Sequence, residues 1–233
     1  MHRSAHRLTR ILAASAAVPA ILLATGCSML SGGDDGGDSE STPSQKPEAT
    51  PTVKAAKFSK LPEACSSIPE KTVKKLVPKV KSPSGTAVKS SDSAARGGCT
   101  WSGLDDNGLK GSDFRWLDVS FQRYESDPSL GTGEKRAEAY FKKQQAALSK
   151  PEGGKEVSTG RAEGVGDEAA TVSYETTKDK EQYVNQTVIA RTANVVVTVN
   201  YNGSGLQGAK DPKSNDMLKD AQQALAAAVS AVK

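Results

Sequence analysis

Trp116 and Asp118, three cysteines and two acidic pairs, Glu125 with Asp127 and Asp167 with Glu168, are the residues of this 233-residue chain whose types and spacing could do chemistry. Neighbouring carboxylates serve as general acid and base in glycoside hydrolysis when a fold holds them at a suitable separation. Exposed Trp stacks on sugar or peptide ligands. Histidine chemistry has no place outside the leader: the 2 His of the chain, His2 and His6, fall in its first ten residues. Once that segment is removed, no Ser-His-Asp triad, Cys-His pair, His-ligated zinc or His general base is left.

The amino terminus explains why that segment is expected to leave. Arg3, Arg7 and Arg10 precede an apolar run from Ile11 to Leu23, which ends in Ala24-Thr25-Gly26-Cys27. A basic start, a short apolar stretch and a small-residue cleavage site make a secretory signal, and the run is shorter than the roughly 20 residues of a spanning helix. Ala-Thr-Gly-Cys resembles a bacterial lipobox, although Ala24 stands where Leu is usual and Leu23 is one place back. That resemblance implies cleavage after residue 26 and a lipid-modified Cys27 as the mature terminus, with a diacyl group and palmitate-type acylation. Two or more acyl chains hold a protein stably on a membrane where one is marginal. The expected location is the extracytoplasmic face of the cell membrane.

Residues 27–56 follow as a lipidated Cys and a disordered tether. Ser, Gly, Asp, Pro and Thr dominate there with almost no large apolar side chain, so little burial offsets the entropy of ordering. Its root-mean-square reach is about 30 Å. With Cys27 acylated, Cys65 and Cys99 remain as an even pair in an oxidising compartment. A Cys65–Cys99 disulfide is the simplest outcome, with two separate buried thiols as the alternative. Closing that loop contributes about 3–4 kcal/mol in the chain-entropy account.

Residues 57–233 read as a single extracytoplasmic domain. Pro69 opens and Pro78 closes a short basic helix. Cys99-Thr100-Trp101 reads as a strand, Asp105-Asp106-Asn107-Gly108 as a turn rather than a calcium loop, and Leu117, Val119 and Phe121 alternate with Asp118, Ser120 and Gln122 as a half-buried strand. Trp116 shares the parity of Asp118, so both sit on the face away from the apolar set, and they are the candidate ligand-binding residues. A helix from Gly133 to Ser149 carries Ala137, Tyr140, Phe141 and Leu148 on one side. Strands are expected over Ala169–Glu175, Tyr183–Arg191 and Asn194–Tyr201, the last two as a hairpin. The closing helix carries a stripe of Leu218, Ala221, Leu225, Ala228, Val229 and Val232. The fold class is α+β: an antiparallel sheet of about five strands, helices packed on one face, and one disulfide.

Leu61-Pro62-Glu63-Ala64-Cys65, then Gly98-Cys99-Thr100-Trp101, then Gly164-Val165-Gly166-Asp167-Glu168-Ala169 resemble a family of actinobacterial envelope lipoproteins of unknown function. The pattern is similar, more distantly, to extracellular sensor domains of some actinobacterial Ser/Thr kinases. The resemblance implies a tethered, disulfide-bonded α+β domain outside the membrane and carries over no catalytic residue.

The functional expectation is a non-enzymatic, lipid-anchored binding or sensor-like module for a cell-envelope ligand or partner protein, with no cofactor, metal or nucleic acid. The small positive charge of the domain and the lack of basic motifs interleaved with aromatics argue against nucleic acid. The alternative is an envelope hydrolase using carboxylates alone, and a third reading is an accessory subunit of a membrane protein. The lysines 71, 74, 75, 79, 81, 142 and 143 read as solvated faces.

Overall fold

Val188-Ile189-Ala190 and Val195-Val196-Val197 are apolar without alternation, and every one of these side chains is buried. A strand with no polar face is a strand covered on both sides. These two runs form the centre of the sheet in the computed structural model, which describes residues 52–233. The leader, Cys27 and the tether as far as residue 51 lie outside the described residues.

The strands are β1 (Thr86–Ala87), β2 (Arg96–Asp106), β3 (Ser112–Arg123), β4 (Lys155–Arg161), β5 (Glu168–Lys178), β6 (Glu181–Thr192) and β7 (Val195–Leu206), with helices α1 (Glu70–Leu76), α2 (Gly133–Leu148) and α3 (Ser214–Ser230). They make one sheet in the order β1-β2-β3-β7-β6-β5-β4, antiparallel throughout. The sheet therefore has seven strands, where about five were expected. The two extra strands are its edges. β1 has two residues, and β4 has none buried, so neither leaves a hydrophobic period to read.

Helices lie on both faces, which corrects the expectation of one. On the first face, Leu117, Val119 and Phe121 of β3, Val188 and Ala190 of β6 and Val197 and Val199 of β7 pack with Val73 and Leu76 of α1 and Met217, Ala221 and Leu225 of α3. On the second, Ala137 and Phe141 of α2 cover Ala170, Ile189 and Val196. The centre of the sheet needs the second cover, because leaving Ile189 and Val196 in water would forgo about 1.5–3 kcal/mol for each side chain.

Polar side chains join the layers. The Tyr201 hydroxyl donates to the Leu76 carbonyl, an acceptor that α1 leaves free at its carboxyl end. Gln186, fully buried on β6, donates to Ser214 Oγ at 2.9 Å at the start of α3. Among the described residues, every buried side-chain nitrogen or oxygen has a partner.

Cys65 and Cys99 are bonded, with 5.0 Å between their Cα atoms, so the segment holding Cys65 is fastened to the inner face of β2. Gly85 closes over this corner at φ +78°, and a Cβ there would lie 2.3 Å from Cys99 Sγ and 2.7 Å from Trp101 Nε1. Trp101 is buried, and its indole N–H donates to the Pro83 carbonyl at 3.1 Å.

Candidate functional site

α2 covers only part of the second face. Over β2, β3 and β7 the rest is open, and alternation turns its polar side chains outward. Antiparallel register sets them in rows: Ser102–Trp116–Asn202, Thr100–Asp118–Asn200, Gly98–Ser120–Thr198 and Arg96–Gln122–Val196. The last three rows floor a groove of about 560 Å³, walled by residues 88–91 on the β1 side and by Tyr140 of α2 on the other. That volume is within the range of small-molecule sites. Gly98 keeps the floor low, since a Cβ there would sit 3.3 Å from the Val88 side chain and 3.2 Å from the Val119 carbonyl.

Asp118 lies in the floor of the groove. Asn200 Nδ2 donates to both of its oxygens, at 3.0 and 3.3 Å, while Asn200 Oδ1 accepts from the Thr187 hydroxyl at 2.8 Å. The chain Thr187–Asn200–Asp118 thus fixes which way the Asn200 amide points. Burial pushes the Asp118 carboxyl up from 3.8 to about 6, against the opposing pull of the Asn200 hydrogen bonds. The group can accept hydrogen bonds from a ligand at neutral pH and hold a proton in mildly acid conditions. Trp116 is half-buried one row beyond the groove on the same face, between Ser102 and Asn202.

The acidic pairs are occupied elsewhere. Arg191 Nε donates to Glu168 Oε1 at 2.7 Å and its Nη1 to Asp167 Oδ2 at 3.0 Å, so this pair holds a guanidinium. Glu125 binds Arg123 at 2.8 Å, and Asp127 accepts the amides of Ser129 and Leu130 and the Ser129 hydroxyl, bonds that hold its carboxyl below the usual range. Asp106 Oδ1 accepts from the Gly108 amide at 2.9 Å, as in an ordinary turn. Thr132 caps α2 by accepting from the Lys135 amide. The basic residues do not converge either. Lys74 pairs with Glu70, Lys75 with Asp220 and Lys142 with Glu138, and α1 and α2 lie on opposite faces.

The sequence reading placed Trp116, Asp118, Ser120 and Gln122 on one face and missed the neighbours that complete it: Asn200, Thr198 and Arg96. The signal was present, since Thr198, Asn200 and Asn202 alternate with Val197, Val199 and Tyr201. Only the pairing of β3 with β7, strands far apart in the chain, puts the two alternations side by side.

Fold and groove together define an antiparallel α+β domain with a polar, ligand-sized groove on its sheet. No family model matches the chain, and no curated protein matches it. The resemblance to envelope lipoproteins accordingly rests on the quoted motifs alone. A crystal structure of LpqN, described as involved in cell envelope biogenesis of Mycobacterium tuberculosis, is similar at 14% identity, covering 61% of this chain and 82% of that one with a TM-score of 0.31. A likeness at that score is no guide to this chain's fold or role.

Proposed function

We propose that the chain is a lipid-anchored, extracytoplasmic binding module whose groove takes a polyhydroxylated ligand of the cell envelope without turning it over. The observation that carries this reading is the run of registered polar rows on one open sheet face, with Trp116 at one end of it. Hydroxyl and amide side chains at fixed strand spacing exchange hydrogen bonds with a ligand rich in hydroxyls, and an indole beside them offers a flat apolar surface for a sugar ring. The anchor rests on the sequence, through the leader and Cys27. Asp118 is the one carboxylate lining the groove among the described residues, so a general acid and base pair would lack its second member there.

The test is thermal denaturation of the oxidised full chain with a panel of wall glycans, peptidoglycan fragments and lipid headgroups. A ligand at 100 times its Kd adds about 2.7 kcal/mol to stability. A glycan-induced shift that is lost in Asn200→Ala and in Trp116→Ala supports the reading. Release of product from a bound glycan, abolished by Asp118→Asn, overturns its non-catalytic part, and no shift with any glycan overturns the groove as a glycan site.

A further inference from the structure

The groove is electrically one-sided along its length. Asp118 stands in the row next to Trp116, while Arg96 occupies the row at the far end, beside Gln122, and Lys89 lines the wall. From the Asp118 row to the Arg96 row is four residues along β3, about 13 Å at strand spacing and longer than a single sugar ring. Neither Arg96 nor Lys89 has a carboxylate within 4 Å, whereas among the described residues Lys74, Lys75, Lys142, Arg115, Arg123 and Arg191 all do. Arg96 and Lys89 are thus two groove-lining cations that carry no protein counter-ion. A further guanidinium stands nearby, where Arg136 lies 5.6 Å over the Tyr124 ring and Tyr124 packs on Tyr140 of the wall at 5.5 Å.

We infer that the groove selects an acidic oligosaccharide and sets its direction, with a carboxylate or phosphate of the ligand against Arg96 and Lys89 and ligand hydroxyls on Asp118 and Asn200. This rests on the proposed glycan-binding reading and adds to it the charge and polarity of the ligand. An anion at the Asp118 end would meet an ionised carboxyl, while at the Arg96 end it meets unpaired cations, so charge orders the ligand along the groove. Guanidinium suits both anions, because its planar fork of donors matches carboxylate and phosphate oxygens alike.

The experiment is calorimetric titration of the oxidised full chain with three probes: a neutral chitotetraose, an oligogalacturonate of equal length, and a short glycerol-phosphate polymer. Each is titrated into the parent and into the Arg96→Gln, Lys89→Gln double variant, whose changes lie on exposed side chains. The expected result is at least tenfold tighter binding of one or both acidic probes than of the neutral one, with that preference gone in the double variant. The identity of the tighter acidic probe separates a carboxylate ligand from a phosphate ligand. Equal affinity for acidic and neutral probes, or a preference that survives in the double variant, overturns the inference and leaves the glycan reading standing. No binding of any probe overturns both.

Discussion

Asn194 grips the main chain of Phe58 from both sides: its Oδ1 accepts from the Phe58 amide at 2.9 Å and its Nδ2 donates to the Phe58 carbonyl at 2.8 Å. The same Nδ2 donates to the Tyr124 carbonyl at 2.8 Å, and the residue is fully buried in the β6–β7 turn. One amide thereby joins the entry of the domain, the end of β3 and the central hairpin. Asn194→Ala is expected to cost about 3 kcal/mol, the scale of one or two orphaned buried groups. Asn194→Asp keeps the acceptor but loses the donors and buries a charge, so at neutral pH it should cost at least as much. Urea denaturation of the three proteins checks the order.

Asp118 gives the stability a pH dependence of known sign. Its folded pKa of about 6 lies above the ordinary 3.8, so the folded chain holds this proton more tightly than the unfolded chain does. The contribution is fully present below about pH 4 and is lost as pH rises through 6. At pH 8 the ionised group is a net cost of about 1–3 kcal/mol. Asp118→Asn should therefore be more stable than the parent at pH 8, with the gap closing at pH 4. A gap that stays constant with pH would contradict the assignment.

Reducing the Cys65–Cys99 bond, or replacing both cysteines by serine, should lower stability by about 3–4 kcal/mol. The pocket that Gly85 fills against Cys99 and Trp101 makes a second handle on the same corner. Gly85→Ala should destabilise the oxidised protein through both the 2.3 Å clash and the positive φ, and should raise the susceptibility of the disulfide to a small thiol reductant. The rate of thiol release measures the second effect.

Tyr201→Phe removes only the oxygen that caps α1, and about 1–1.5 kcal/mol is expected to go with it. Burial pushes the Tyr201 phenol up to about 12, so the loss should be the same at pH 6 and pH 9. Lys75→Ala breaks an exposed contact with Asp220, worth at most a few tenths of a kcal/mol. Denaturation of the two variants side by side separates a buried cap from a surface ion pair.

The legible parts of the fold are those with a period. Ala137 and Phe141 announce the covered side of α2, and Leu117, Val119 and Phe121 announce that of β3. In α3 the stripe is turned slightly, with Met217 and Ala224 buried while Leu218 and Val229 pack at its margin. The covering of both sheet faces was written in the unbroken runs at Val188 and Val195, which lack the polar alternation of a one-sided sheet. β4 could not be read, because Lys155, Glu156, Ser158, Gly160 and Arg161 have little to bury and are strand only by pairing with β5. Half of the site was legible for a similar reason. Trp116 and Asp118 are close in the chain, while Asn200 and Thr187 reach Asp118 only across strand pairings that no local pattern encodes.

The disulfide also sets a load path. A pull on the chain at Phe58 first meets the Asn194 clamp and then runs through the short stretch to Cys65. There the covalent bond hands it to β2 at Cys99, a strand hydrogen-bonded on both edges, to β1 and β3. Residues 66–98, which include α1 and the groove wall at residues 88–91, lie in the closed loop and are bypassed by the tension. An oxidised domain pulled by its amino end spares α1 and the groove wall, whereas a reduced one would transmit the same force through both.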